Sequence, residues 1–110
     1  LLSMNMSMDE LMQEGERVYN ATCAACHMPN GEGLPGVFPA LKGSKMVKED
    51  QQGHIDIVLH GKSGTAMQAF GKMLSLKEIA AVVTYERNAW GNNTGDMVQA
   101  KDVNAVANGN

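Results

Sequence analysis

Apolar residues recur at helical spacing in the first half of the chain. From Asp9 onward the apolar and small positions fall at intervals that place them on one face of a helix. These positions are Leu11, Met12, Gly15, Val18 and Tyr19. The pattern predicts a first helix that ends near residue 23. A shorter helix is predicted from Asp50 to Leu59, stopping at Gly61. Its buried positions are Ile55, Val58 and Leu59.

The last helix has the clearest start signal in the chain. Residues 75–78, Ser-Leu-Lys-Glu, form a capping box, in which the serine hydroxyl and the glutamate side chain each accept from a backbone N–H of the first turn. Its apolar stripe consists of Ile79, Val82 and Val83. The helix is predicted to end near Trp90 and Gly91, and the chain as a whole to be all-α.

Two loops separate the predicted helices. Residues 29–45 contain all three prolines and four of the glycines, so they cannot form a regular helix. A loop of this length in a compact domain usually carries function. The second loop covers residues 62–73. We therefore predict a domain over residues 9–91, preceded by a linker or N-terminal extension at 1–8. The predicted C-terminal tail, 92–110, has an amphipathic stretch at 98–106.

Composition fits one small domain with a bound apolar group. The chain has 110 residues, of which 5% are aromatic, so its own side chains predict a thin core. A buried cofactor would add apolar surface, at roughly 25 cal/mol for each Å² removed from water. The sequence has no run of about 20 apolar residues that could span a bilayer. Leu1-Leu2 is too short for a signal segment, which favours a mature or excised exported domain.

Charge is unevenly distributed along the chain. The net charge of −3 argues against nonspecific nucleic-acid binding, which depends on neutralising phosphates. Residues 1–36 carry five acidic side chains against Arg17, whereas residues 42–77 carry six lysines against three acidic side chains. The lysines are Lys42, Lys45, Lys48, Lys62, Lys72 and Lys77. This basic segment is either an ordinary solvated face or a surface that steers a redox partner.

The residues Cys23-Ala24-Ala25-Cys26-His27 carry the chemistry. The pattern C-x-x-C-H is the attachment signature of a c-type haem, since two thiols on one helical turn can each bond a vinyl group and leave the imidazole under the iron. A thioredoxin-like dithiol is less favoured because no β-α-β pattern surrounds the motif. A zinc site would need His54 or His60 at an unusual spacing.

With this motif and this order of helices, the chain resembles class I cytochromes c. The resemblance covers roughly residues 10–91. The resemblance implies an all-α fold of three to five helices wrapped around one covalently attached haem. It also implies one-electron transfer without catalysis by the polypeptide. The competing class is a haem enzyme or gas-binding protein with an open sixth position on the iron.

The resemblance also implies the iron ligands. His27 is the first ligand, and the carbonyl of Pro39, twelve residues later, accepts the hydrogen bond from its ring N–H. Met67, in a loop just before the last helix, is the sixth ligand, and its soft thioether favours Fe(II). Gln68 stands where many relatives have proline. Leu41 and Phe70, close to Pro39 and Met67 in sequence, are expected to contact the haem.

Other side chains compete for the sixth position. The alternatives are Met73, Met46 and His60. Met28 adjoins His27 and cannot reach the opposite face. His54 is expected to be solvated.

Two aromatic features follow from the same resemblance. Gly15 and Tyr19 match the positions by which this family packs its first helix on its last, near Tyr85 here. Trp90 either donates a hydrogen bond to a haem propionate or caps the core, and the sequence does not separate these alternatives.

Residues 64–71 and 84–92 resemble the cytochrome c domain of subunit II of caa-type cytochrome c oxidases. That resemblance implies a respiratory chain domain that receives electrons from a donor cytochrome or membrane complex and delivers them to a copper centre. A free-standing periplasmic carrier is the alternative. Either would lie in the periplasm or on the outer face of the bacterial cytoplasmic membrane. Met4, Met6 and Met8 could bind Cu(I) through their thioethers, but a linker is the favoured interpretation.

Overall fold

The computed structural model describes residues 5–109, and these form a helical fold. No β-strand occurs between residues 5 and 109 apart from one isolated bridge between Leu34 and Phe38. The α-helices are α1 Met8–Thr22, α2 Ala24–His27, α3 Lys45–Glu49, α4 Gln51–His60, α5 Leu76–Asn88 and α6 Ala100–Ala107. A 3₁₀ turn, Ala89–Gly91, follows α5. The all-α prediction is confirmed, although these six α-helices exceed the three to five expected because α2 and α3 are single short turns.

Helix α1 starts earlier than its hydrophobic pattern suggested. Ser7 caps it, accepting a hydrogen bond from the Glu10 N–H at 3.1 Å, while the Glu10 carboxylate accepts from the Ser7 N–H at 2.8 Å. Met6 is held to the C-terminal region, since its backbone N–H and carbonyl both bond the Gln99 side chain at 3.0 and 2.9 Å. Residues 6–8 therefore belong to the folded unit, and Met4 lies outside the described residues.

The predicted capping box at α5 is present. Ser75 and Glu78 exchange hydrogen bonds at 2.8 and 3.1 Å. The following stretch, residues 79–84, is fully buried, which makes α5 the central helix of the fold. Helix α4 agrees with its prediction to within one residue at each end, with Asp50 as the N-cap and Gly61 directly after it.

The C-terminal segment is more than the polar tail that was predicted. Val98 and Val103 are completely buried, so this segment contributes to the core. The Thr84 hydroxyl accepts from the Val98 N–H at 2.9 Å, and its proton is shared between the carbonyls of Ala80 at 2.8 Å and Val98 at 3.2 Å. The amphipathic stretch 98–106 largely coincides with α6, which packs on α4 and α5.

Helices α1 and α5 approach each other most closely at Gly15. A Cβ atom placed on Gly15 would collide with the Ala81 carbonyl oxygen and lie 2.6 Å from the Tyr85 Cβ. The rings of Tyr19 and Tyr85 fill the neighbouring space, with centroids 5.5 Å apart. The predicted packing of the first helix on the last through Gly15 and Tyr19 is confirmed.

Gly15→Ala should therefore destabilise the protein, although alanine favours helix elsewhere. We expect a loss of about 1–3 kcal/mol in the free energy of unfolding, because the added methyl group forces two helix backbones apart. Denaturant unfolding of the haem-loaded protein measures this loss. The matched control is Asn20→Ala at an exposed position of α1, which should be neutral or slightly stabilising. Equal stability of the two variants would contradict the close approach.

Candidate functional site

The Cys-Ala-Ala-Cys-His motif forms a turn of its own at the end of α1. Helix α1 stops at Thr22, and the single turn α2 ends with His27, whose N–H donates to the Cys23 carbonyl at 3.0 Å. Both cysteines are free thiols, with Cys23 packed against the core and Cys26 exposed. Burial raises the pKa of Cys23 to about 12, and the nearby Glu86 carboxylate adds to the shift. A reactive dithiol needs a depressed pKa, so this environment disfavours the thioredoxin-like alternative.

The His27 imidazole is buried and held by one hydrogen bond. Its Nδ1 lies 2.9 Å from the Pro39 carbonyl oxygen, the partner that the resemblance implies. A carbonyl can only accept, so Nδ1 carries a proton, and in the neutral imidazole the lone pair is then on Nε2. A neutral imidazole in this tautomer is ready to bind a metal through Nε2.

Two glycines allow the loop between α2 and α3 to close on this histidine. Gly33 donates its N–H to the His27 carbonyl at 2.9 Å, and a Cβ on it would lie 2.6 Å from the Pro39 carbonyl oxygen. Gly31 lies beneath the Trp90 ring, where a Cβ would meet ring atoms at 2.5 to 2.7 Å. Both have positive φ angles, 72° for Gly31 and 64° for Gly33, which glycine adopts without strain.

Trp90 closes this side of the core. Its indole N–H donates to the Pro29 carbonyl at 3.1 Å, and its ring packs against the apolar cluster. Its ring lies 5.0 Å from that of Tyr19 and 5.5 Å from that of Tyr85, both edge-on. The Tyr19 hydroxyl donates to the Met28 carbonyl at 2.6 Å, a contact with the haem-motif turn that the sequence did not suggest.

The loop that carries Met67 is tied to the end of α4. The N–H groups of Phe70 and Gly71 donate to the carbonyls of Val58 and Leu59 at 2.9 and 3.0 Å. The Met67 carbonyl accepts from the Lys62 N–H at 3.1 Å. These backbone hydrogen bonds hold the Met67 loop, in which Gln68 stands where many relatives have proline.

Met67 and its competitors differ in burial. Met67 is partly buried against the core, whereas the side chains of Met73 and Met46 are 59% and 37% exposed. His60 is exposed and bonds Asp56 at 3.0 Å. Among these candidates, Met67 alone packs against the core.

His54 is not solvated, contrary to the sequence prediction. It is 3% exposed, and its Nε2 lies 2.6 Å from the Glu86 carboxylate, which is buried with it. Its Nδ1 has no hydrogen-bond partner among the described residues. The predicted exposure was wrong because the partner lies in α5, 32 residues away in sequence.

Five of the eight predicted site residues lie in or against one apolar cluster. Phe70 belongs to that cluster, and Cys23, Leu41, Met67 and Trp90 pack against it. A surface depression of about 410 Å³ is lined by Pro39 and its neighbours, and one of about 450 Å³ lies at the end of α4; Cys23, His27 and Met67 line neither of them. The fit to haem c therefore rests on the donor set. That set comprises the free thiols of Cys23 and Cys26 on one turn, the imidazole of His27, and the thioether of Met67, which packs against the apolar cluster.

Between residues 5 and 109, no helix combines the length and apolar character needed to cross a membrane. Within the same range, no three His, Cys, Asp or Glu side chains group closely enough to hold a metal ion.

Comparison with known proteins identifies the family. Residues 10–85 match the family model described as "Cytochrome C oxidase, cbb3-type, subunit III". The alcohol dehydrogenase (quinone) cytochrome c subunit of Gluconobacter oxydans (strain 621H) is 36% identical over 99 residues, which cover 81% of this chain and 21% of that protein. The chain thus spans about a fifth of the length of the first curated relatives that it matches.

Shorter cytochromes match this chain at a similar percentage identity. Cytochrome c-552 of Thermus thermophilus is 37% identical over 91 residues, which cover 71% of this chain and 69% of the relative. Cytochrome c6 of Microcystis aeruginosa is 36% identical over 73 residues, which cover 66% of this chain and 89% of the relative.

Proposed function

The chain belongs to the cytochrome c family and is an electron-transfer domain, and on that premise we propose that it is the electron-entry domain of a cytochrome c oxidase. Members of this family bind covalently attached haem c. The observation that carries the proposal is the juxtaposition at α2, where two free thiols and a tautomer-fixed His27 lie on one turn. A bound haem supplies a one-electron Fe(III)/Fe(II) couple.

On the proximal side, each residue of the turn has a distinct role. Cys23 and Cys26 would hold haem c through thioether bonds, and His27 would bind the iron through Nε2. The Pro39 carbonyl accepts the Nδ1 proton, which fixes the ring and makes Nε2 a stronger donor. Burial of His27 keeps water away from this bond.

We assign Met67 as the second protein side chain that would bind the iron. Its partial burial against the core supports this choice over the exposed Met73. The backbone bonds from Phe70 and Gly71 to α4 hold the loop in place of a proline. A firmly held ligand moves little when iron changes oxidation state, which keeps electron transfer fast.

The surface supports exchange with an acidic partner. Cys26 is exposed, so the thioether formed there would lie at the surface, where a partner can approach. All six lysines of the basic segment 42–77 are exposed. Of these six, only Lys42 has a described carboxylate partner, Glu32, at 3.8 Å. Exposed positive charges without carboxylate partners steer a negatively charged redox partner.

Two lines of support favour an oxidase partner. The matching family model is named for an oxidase subunit, and residues 64–71 and 84–92 resemble the domain fused to caa-type subunit II. The acceptor would then be a copper centre on the outer face of the bacterial cytoplasmic membrane, consistent with thioether attachment outside the cytoplasm. The second candidate is a domain of a dehydrogenase cytochrome subunit, favoured by relatives of that name. A free-standing carrier is the third.

Electron exchange with separate partners distinguishes these functions. We expect the reduced protein to be oxidised rapidly by the copper-containing domain of an oxidase subunit II, followed by stopped-flow absorbance. Slow oxidation there, together with fast reduction of the oxidised protein by a quinone-dependent dehydrogenase, would overturn the oxidase assignment in favour of the second candidate.

The lysines near the Met67 loop should set the rate of that exchange. Lys62→Glu and Lys72→Glu should each lower the bimolecular rate constant about tenfold at low ionic strength, because each removes an attractive charge and adds a repulsive one. The effect should vanish near 1 M salt, where the Debye length is about 3 Å. Lys101→Glu, at an exposed position of α6, is the matched control. Equal rates for all three variants would contradict docking at this face.

A further inference from the structure

Asn92 is a buried amide whose hydrogen bonds join two parts of the fold. Its side chain is 6% exposed, although it lies in the segment predicted as a polar tail. Its Oδ1 accepts from the Gly43 N–H at 2.7 Å, and its Nδ2 donates to the carbonyls of Leu41 at 3.1 Å and Glu86 at 2.8 Å. Both N–H groups and the oxygen of the Asn92 amide therefore have hydrogen-bond partners.

The loop partners of Asn92, Leu41 and Gly43, lie two and four residues after Pro39. Leu41 is held from its other side too, because its N–H donates to the Gly31 carbonyl at 2.7 Å. The backbone two residues after Pro39 is thus fixed between Gly31 and Asn92. The third bond of the amide anchors this arrangement to α5 through the Glu86 carbonyl.

We propose that Asn92 is a positioning residue for the axial histidine, holding the loop so that the Pro39 carbonyl stays at hydrogen-bond distance from His27 Nδ1. The inference rests on the proposed function only in taking His27 as an iron ligand. Asn92 acts through the loop backbone and touches neither the imidazole nor the iron.

Loss of the Asn92 hydrogen bonds should change the reduction potential in one direction. When the Pro39 carbonyl drifts away, Nδ1–H loses its acceptor and the imidazole becomes a weaker donor through Nε2. Weaker donation from the imidazole destabilises Fe(III) more than it destabilises Fe(II), so the reduction potential rises. We expect a shift of up to tenfold in the Fe(III)/Fe(II) equilibrium constant, which corresponds to 59 mV for one electron.

Asn88 provides a matched control. It is also an asparagine with three side-chain bonds, donating to the carbonyls of Thr84 and Asp96 at 2.9 and 3.1 Å and accepting from the Gly95 N–H at 2.8 Å. None of these bonds reaches the loop of Pro39. Asn88→Ala should therefore cost similar stability without affecting the histidine.

The experiment compares haem-loaded Asn92→Ala with Asn88→Ala. We expect both to lower the unfolding temperature, but only Asn92→Ala to raise the potential, to shift the NMR resonance of the His27 Nδ1 proton in the reduced protein, and to speed exchange of the Gly43 amide proton. Asn92→Ser, which keeps one polar group, is the second variant if alanine prevents folding, and it should give smaller shifts of the same sign.

Two results would overturn the proposal. One is an unchanged His27 proton resonance and potential in Asn92 variants that have lost stability, which would make Asn92 a purely structural residue. The other is an equal shift in the Asn88 variant. The histidine resonance reports on the proximal side, so it remains informative even if the visible spectrum shows that methionine does not bind the iron.

Discussion

Met67→Ala is expected to convert a six-coordinate haem protein into one with an open distal position. The weak far-red absorption band that marks methionine sulfur on ferric iron should disappear, and the reduced protein should bind CO readily. The potential should fall by roughly 0.1–0.2 V, because a soft thioether favours Fe(II) and axial ligands set potentials over about 0.8 V. Visible spectroscopy and a redox titration measure these changes.

Met73→Ala is the control for this assignment. Met73 lies in the same loop region, but 59% of its side chain is exposed, so its loss should leave the spectrum and CO binding unchanged. A far-red band that survives in Met67→Ala and disappears in Met73→Ala would reverse the ligand assignment. CO binding by the unmodified reduced protein would instead favour the competing class with an open sixth position.

Local signals were sufficient for much of this site. The capping box at residues 75–78 depends on side chains three positions apart, so the sequence predicts it without knowledge of the fold. The spacing of His27 and Pro39 was informative because the resemblance to class I cytochromes c supplied its meaning, and the 2.9 Å contact has the partner it implies. The same capping pattern occurs at Ser7 and Glu10, although the predicted boundary after residue 8 places Ser7 in the linker.

Contacts between distant segments could not be predicted in this way. Asn92 follows a glycine in a polar stretch, and its partner Gly43 lies 49 residues earlier. Val98 is apolar, but its burial depends on Thr84 of α5, which satisfies its backbone groups. In each case a polar residue gains its role only when a second segment is placed against it, and a hydropathy pattern does not contain that information.

The buried pair of His54 and Glu86 is the most consequential of these distant contacts. Both side chains are 4% exposed, and the joining atoms are 2.6 Å apart. Removing one member leaves the other as a buried polar group without a partner, which costs about 1–3 kcal/mol. We therefore expect His54→Leu and Glu86→Leu each to lower the free energy of unfolding by about that amount, measured by denaturant titration of the haem-loaded protein.

The double variant His54→Leu/Glu86→Leu distinguishes the contribution of the hydrogen bond between the two side chains from that of the volume they occupy. With both polar groups gone, neither is left unpaired, so the double variant should lose less stability than the sum of the single ones. His60→Leu is the matched surface control, because His60 and Asp56 form a similar pair with side chains 56% and 60% exposed, and it should cost about 0–1 kcal/mol. If His54→Leu cost no more than His60→Leu, water would be reaching Glu86, and α4 and α5 would not pack as tightly as the burial of both side chains requires.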